Sequence, residues 1–240
     1  MPTFKLILEY DGTAFFGWQI QPDRRTVQGE LRRAIEETTG ERLTVTGAGR
    51  TDAGVHAVGQ VASFASMTRL SPTVLLRALN ARLPRDIRIR RIDEAPPRFN
   101  ARFDAKSRTY HYLFIRRPTA LWRSYYYLVT AGLDVAAMRA ALGELVGERD
   151  FTTFASSRDD SPVKTCRVIR AELVETPPLM TLAVTADHFL HHMMRSLAGT
   201  LLEIGRGKSR SMAEIIAARD SSRAGATLPP YALYLMHVGY

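Results

Sequence analysis

Residues 47–56, Gly-Ala-Gly-Arg-Thr-Asp-Ala-Gly-Val-His, place one carboxylate and one guanidinium two positions apart between glycines. Glycine lets a backbone take positive φ or approach a ligand closely. A side chain carried on such a loop at the end of a strand sits where working groups are often found. Asp52 is therefore the candidate nucleophile or base, and Arg50 a neighbouring cation able to hold it ionised. The plain alternative is an Asx-turn in which Asp52 bonds its own backbone and Arg50 joins a surface salt bridge. The glycine spacing does not suit a phosphate-cradling loop, because the segment joins two strands and opens no helix.

Three further stretches carry chemistry-bearing side chains. In "DHFLHHMMRSL" (187–197), His188, His191 and His192 invite a metal reading with Asp187 as a fourth ligand. Asp187 and His188 fall at a strand end, however, so the spacing need not gather them on one helical face, and no metal is expected. A helix beginning near Phe189 would align His192, Arg195 and Gly199, leaving Met193, Met194 and Leu197 for the core. Arg195 is then either a cleft-lining cation or part of a solvated face. In "RTYHY" (108–112), Tyr110 and Tyr112 share one face of a strand and His111 the other. Tyr110 either stacks on a base or is a core tyrosine with a bonded hydroxyl. In "DGTAFFGWQIQPDRRTVQG" (11–29), Phe15, Phe16 and Trp18 precede Arg24 and Arg25. That mixture suits a nucleic-acid contact loop or a long loop folded over its own small core. P-loop, H-E-x-x-H and G-x-S-x-G motifs are missing.

The elements that would position these groups are legible in the periodicity. "TFKLILEYDG" alternates as a strand and turns. "TVQGELRRAIEETTG" is a helix with Thr26 as cap, Gly40 as stop, and Val27, Leu31, Ala34 and Ile35 on one face. "RLTVTGAGR" and "VGQVASFA" are strands, "SPTVLLRALNARLP" a Ser-Pro-initiated helix, and "DIRIRRIDEA" a strand. The second half reads likewise. "SRTYHYLFIRR" is a strand, "LDVAAMRAALGELVGE" an Asp134-capped helix, "TCRVIRAELVET" and "LMTLAVTADHF" strands. "LHHMMRSLAGTLLEIG" and "SMAEIIAARD" are helices, and "YALYLMHVGY" a closing strand. The expected fold is α+β: two ferredoxin-like (β-α-β-β-α-β) subdomains around a central basic cleft, residues 1–105 and 106–240. Two RNA-binding modules share this element order, but their K/R-G-F/Y-G/A-F-V-x-F/Y signature is missing.

The chain has 240 residues, 45% of them hydrophobic, enough for a sizeable core. Its formal charge is +9 and its pI about 10.0. Of the 33 basic residues only Lys5, Lys106, Lys164 and Lys208 are lysines. Arginine forks onto phosphates and stacks on bases, which suits a nucleic-acid partner; an Arg-rich proteome is the plainer source. The lone Cys166 excludes an internal disulfide and CxxC metal sites. The N-terminus does not read as a signal peptide and no apolar run approaches a membrane span, so a cytoplasmic location is expected.

Taken together the stretches resemble the tRNA pseudouridine synthase A (TruA) family. The matching segments, in order, are "EYDGTAFFGWQIQP", "RTVQGEL", "GAGRTDAGVHAVGQVASF", "FNARFDAKSRTYHYLF", "GERDFTTFA", "ADHFLHHMMRSLAGTLLEIGRG" and "LYLMHVGY". The family usually has a glycine where this chain has Ala232. The resemblance implies an isomerase that makes pseudouridine at positions 38, 39 and 40 of the tRNA anticodon stem-loop, without cofactor or metal. It implies Asp52 as the essential carboxylate, nucleophile or base, and Tyr110 as the ring packed on the target base. Arg195 would pair with the aspartate and Arg50 would extrude the nucleotide. It further implies a homodimer with tRNA crossing both subunits. A non-catalytic RNA-binding pair and an Asp52-nucleophile hydrolase are the alternatives; the want of a second paired acid argues against the hydrolase.

Overall fold

The structure, a computed structural model, describes residues 1–130, 132–159, 161–208 and 211–240. The elements in chain order are β1 (Thr3–Tyr10), α1 (Val27–Thr39), β2 (Thr46–Gly47), β3 (His56–Ala65), α2 (Pro72–Arg82), β4 (Ile87–Ala95), β5 (Ser107–Ile115) and β6 (Tyr127–Leu128). They continue with α3 (Val135–Leu145), β7 (Gly147–Asp150), β8 (Thr165–Thr176), β9 (Leu179–Ala186), α4 (Met193–Gly205), α5 (Met212–Ala218) and β10 (Leu233–Gly239). The class is α+β. Backbone contacts group residues 1–106 and 234–240 into one unit and residues 107–233 into another.

In the first unit β1 runs antiparallel between β4 and β3, with Leu6 opposite both Ile92 and Ala62. The β1-α1-β2-β3-α2-β4 order is the split βαβ pattern. The predicted strand "RLTVTGAGR" is paired only at Thr46 and Gly47, because two segments share the far edge of β3. β2 pairs antiparallel at Ala62 and Ser63, and β10 pairs parallel at His56 and Ala57. The closing strand of the second half of the sequence thus fills an edge of the first unit. In the second unit the strand order is β5-β9-β8-β7, each pair antiparallel, with β6 parallel to β5. β6 and β7 are too short to announce themselves by alternation.

Local chemistry starts and stops the helices. The Thr26 hydroxyl accepts from Gly29 N–H, and Gly40 closes α1 at φ +73°. Ser71 caps α2 with Pro72 in its first turn, and Asp134 and Ser211 cap α3 and α5. Helix α1 buries Val27, Leu31, Ala34 and Ile35, α2 buries Leu75 and Leu79, and β1 buries Phe4, Leu6 and Leu8. Each such fully buried Val, Leu, Ile or Phe side chain contributes about 1.5–3 kcal/mol of transfer free energy. The second unit buries Tyr112 and Phe114 on β5 and most of α4.

Candidate active site

Asp52 sits between two backbone anchors. On its N-terminal side the Thr51 hydroxyl lies 2.8 Å from the Tyr10 phenol, and the Thr51 carbonyl accepts from Trp18 N–H at 3.0 Å. Gln60 holds the loop further back by donating Nε2 to the Gly49 carbonyl at 2.9 Å. On its C-terminal side the Asp52 carbonyl accepts from Val55 N–H at 3.2 Å, with Gly54 at φ +80°. A positive φ at the third residue of that four-residue turn is the type II geometry, which selects glycine. Gly54 N–H also donates to the Phe15 carbonyl at 3.3 Å. Gly17, at φ +84°, lies so close that a Cβ there would stand 2.5 Å from the Thr51 oxygen. Gly12 meets the Val55 carbonyl in the same way, and its N–H donates to His56 Nδ1 at 3.0 Å. The His of the motif therefore ties the loop base to Gly12, with Asp11 Oδ1 3.2 Å from the same ring nitrogen.

The Tyr10-Thr51-Gln60 set is buried, and burial, against the hydrogen bonds from Thr51 and Gln60, pushes the Tyr10 phenol up to about 12. Sequence reasoning missed this set, although a glutamine inside the apolar strand β3 is its visible signal. Arg50 is exposed and, among the described residues, forms no ion pair with Asp52.

In the second unit Tyr110 is 7% exposed, and its ring meets Phe189 edge-on with centroids 4.9 Å apart. Tyr112, on the same face of β5, donates its hydroxyl to the Pro229 carbonyl at 2.7 Å. Burial raises the Tyr112 phenol well above the usual tyrosine range. Arg195 stands in the first turn of α4, half-buried, with Nε donating to the Leu228 carbonyl at 2.7 Å. Leu228 N–H returns a bond to the Arg195 carbonyl at 3.3 Å. Ahead of it Gly225 N–H donates to Thr200 Oγ1 and Thr227 meets Ser196, so residues 225–228 form a strap along α4. Gly199 admits the strap: a Cβ there would stand 1.9 Å from the Ala226 oxygen. Sequence spacing gave no sign of this partner, which lies 33 residues from Arg195.

Helix α4 begins at Met193 rather than near Phe189, and His192 is its left-handed cap at φ +67°. The predicted alignment of His192 with Arg195 and Gly199 therefore does not form. The chain bends there because Asp159, its side chain 2% exposed, accepts from His191 N–H, while the His191 carbonyl accepts from Ser156 N–H. Desolvation pushes the Asp159 carboxyl up, but the Lys164 ammonium and backbone donors outweigh it and hold it well below the usual range. His188 turns elsewhere, with Nδ1 2.9 Å from Asp187 and Nε2 3.3 Å from Cys166 Sγ. Burial pushes the Cys166 thiol up to about 12.

A profile of the tRNA pseudouridine synthase family matches residues 6–104 and 141–240, which span both units. The chain belongs to the tRNA pseudouridine synthase family. It is 41% identical to a tRNA pseudouridine synthase A of Caldicellulosiruptor bescii over 244 residues, covering all of both chains. It is 43% identical to a tRNA pseudouridine synthase A of a Geobacillus species over 241 residues, covering 98% of this chain and 97% of that one. Pseudouridine synthases are isomerases. Ala232, where the resemblance leads one to expect glycine, is fully buried in the 3-10 turn Pro230–Ala232. Ala232 does not take a positive φ, so the turn needs no glycine. No helix among the described residues is long and apolar enough to cross a membrane.

Proposed function

We propose that this chain converts uridine to pseudouridine at positions 38, 39 and 40 of the tRNA anticodon stem-loop, with Asp52 as the essential carboxylate. The observation that supports this best is the Asp52 loop itself, pinned on both sides by hydrogen bonds and close glycine contacts. A reacting group must be held to within a fraction of an ångström, and a doubly anchored loop does that.

The reaction breaks the N1–C1′ bond and forms C5–C1′; C5 loses a proton and N1 gains one. Composition and oxidation level do not change, so the chemistry calls for neither hydride carrier nor metal. An ionised carboxylate adds to the base or sugar, or removes a sugar proton; a neutral acid is poor at each. On this reading Arg195 pairs with the carboxylate, Arg50 helps extrude the nucleotide, and Tyr110 packs on the base. Unstacking the uridine costs a few kcal/mol, which arginine–phosphate contacts and base stacking offset. The enzyme works as a cytoplasmic homodimer. The test is to incubate the protein with unmodified tRNA transcripts, digest them and map pseudouridine by position. Product confined to positions 38–40 is expected; none, or product elsewhere, overturns the assignment.

A further inference from the structure

Two phenylalanine–arginine pairs stand side by side in the segment that leads to the Asp52 loop, and the fold uses them differently. Phe15 is 3% exposed, and the Arg25 guanidinium lies 4.1 Å from its ring centroid. Arg25 is fully engaged: it forks onto Asp86 at 2.7 and 2.9 Å and reaches Glu30 at 3.3 Å. This inner pair is a staple that closes the segment. Phe16 is 46% exposed, and the Arg24 guanidinium lies 4.4 Å from its ring centroid. Arg24 is itself exposed and has no acidic partner among the described residues.

The exposed ring is also held in place. Phe16 N–H donates to the Arg25 carbonyl at 2.9 Å, and its carbonyl accepts from Gln21 Nε2 at 2.9 Å. Its neighbours on both sides touch the Asp52 loop: the Phe15 carbonyl accepts from Gly54 N–H, and Gly17 packs on the Thr51 carbonyl. An aromatic ring fixed at the surface with an unneutralised guanidinium over its face suits a nucleotide, whose base stacks and whose phosphate accepts the fork.

We propose that Phe16 and Arg24 form a stacking platform for a nucleotide of the tRNA flanking the target uridine. This rests on the isomerase reading for the identity of the RNA. Phe16 stacks on the flanking base and Arg24 takes its phosphate. Both are positioning residues: they hold the strand while the neighbouring loop acts.

The test measures affinity for an unmodified tRNA transcript in the Asp52→Asn background, so that binding is read apart from turnover, and KM and kcat in the wild-type background. Phe16→Leu keeps bulk but removes the π face, and is expected to weaken binding and raise KM by roughly tenfold with kcat little changed. Phe16→Trp should stay within about twofold of the parent, since a larger ring stacks as well. Arg24→Gln should lower the salt dependence of log K by about one phosphate contact. Phe16→Leu binding like the parent, or Phe16→Trp falling as far as Phe16→Leu, overturns the platform; an unchanged salt slope in Arg24→Gln overturns the phosphate contact. If wild type makes no pseudouridine while Phe16→Leu still weakens tRNA binding, the isomerase reading fails and the platform stands.

Discussion

Gly17→Ala tests whether the Asp52 loop is held by close backbone packing. Gly17 sits at φ +84°, where alanine costs about 1 kcal/mol relative to glycine. Its Cβ would also stand 2.5 Å from the Thr51 oxygen, where contacts under 3.0 Å are essentially never seen. The Thr51 carbonyl must therefore retreat by roughly 0.5 Å or more, loosening its bond from Trp18 N–H at 3.0 Å, a loss of about 1 kcal/mol. The total is about 2–3 kcal/mol. In a chain of this size 1 kcal/mol moves the melting midpoint by roughly 2–4 °C, so a fall of about 4–12 °C is expected. Thr51 precedes Asp52, and a misplacement of about 1 Å can cost a hundredfold in rate, so half that shift should lower kcat about tenfold. Gly40→Ala is the control: φ is +73°, nothing lies within 4 Å, and only the conformational cost of about 1 kcal/mol applies, with activity unchanged. Melting by circular dichroism and nucleoside analysis of treated tRNA read both quantities. Gly17→Ala that melts like Gly40→Ala and turns over at the wild-type rate would refute the reasoning.

Two further outcomes follow from the same geometry. Gly199→Ala should push the 225–228 strap off α4, because its Cβ would meet the Ala226 oxygen at 1.9 Å, and should lower tRNA modification at least tenfold through Arg195. Gly143→Ala in α3, where nothing lies within 4 Å, should leave activity alone; equal activity in the two variants would detach the strap from function. Burial raises Tyr10 from its usual 10 to about 12, so the folded state keeps a proton that the unfolded chain releases. That stability is complete below pH 10 and drains away as pH climbs through 12. Denaturant titrations should show it, and Tyr10→Phe should flatten the slope; an unaltered slope would mean that Tyr10 is not the titrating group.

What the sequence showed, and what it hid, divides along local and non-local causes. Thr26, Gly40, Ser71, Pro72 and Asp134 act within a turn of their own position, and each bounds the helix its neighbours suggest. The motif around Asp52 was legible as a glycine-flanked loop between strands. Its restraint was not, because Tyr10, Gly17 and Gln60 reach it from elsewhere in the chain. Helix α4 starts late because Asp159 bends the chain at His191, a contact across 32 residues that periodicity cannot register. The brevity of β2 has the same origin, since β10 occupies the remaining edge of β3. The segment at 11–29 read evenly as an RNA-contact loop or a self-packed loop. Burial splits it by residue: Phe15 and Trp18 are core, and Phe16 is exposed.

The most direct measurement is single-turnover modification of an unmodified tRNA by wild type and by Asp52→Asn, with tRNA affinity measured for both. Wild type should form pseudouridine. Asp52→Asn should bind tRNA within a few-fold of wild type and form product at least roughly a thousandfold more slowly, since it keeps the loop but lacks a carboxylate. Pseudouridine from Asp52→Asn at the wild-type rate would contradict the central claim.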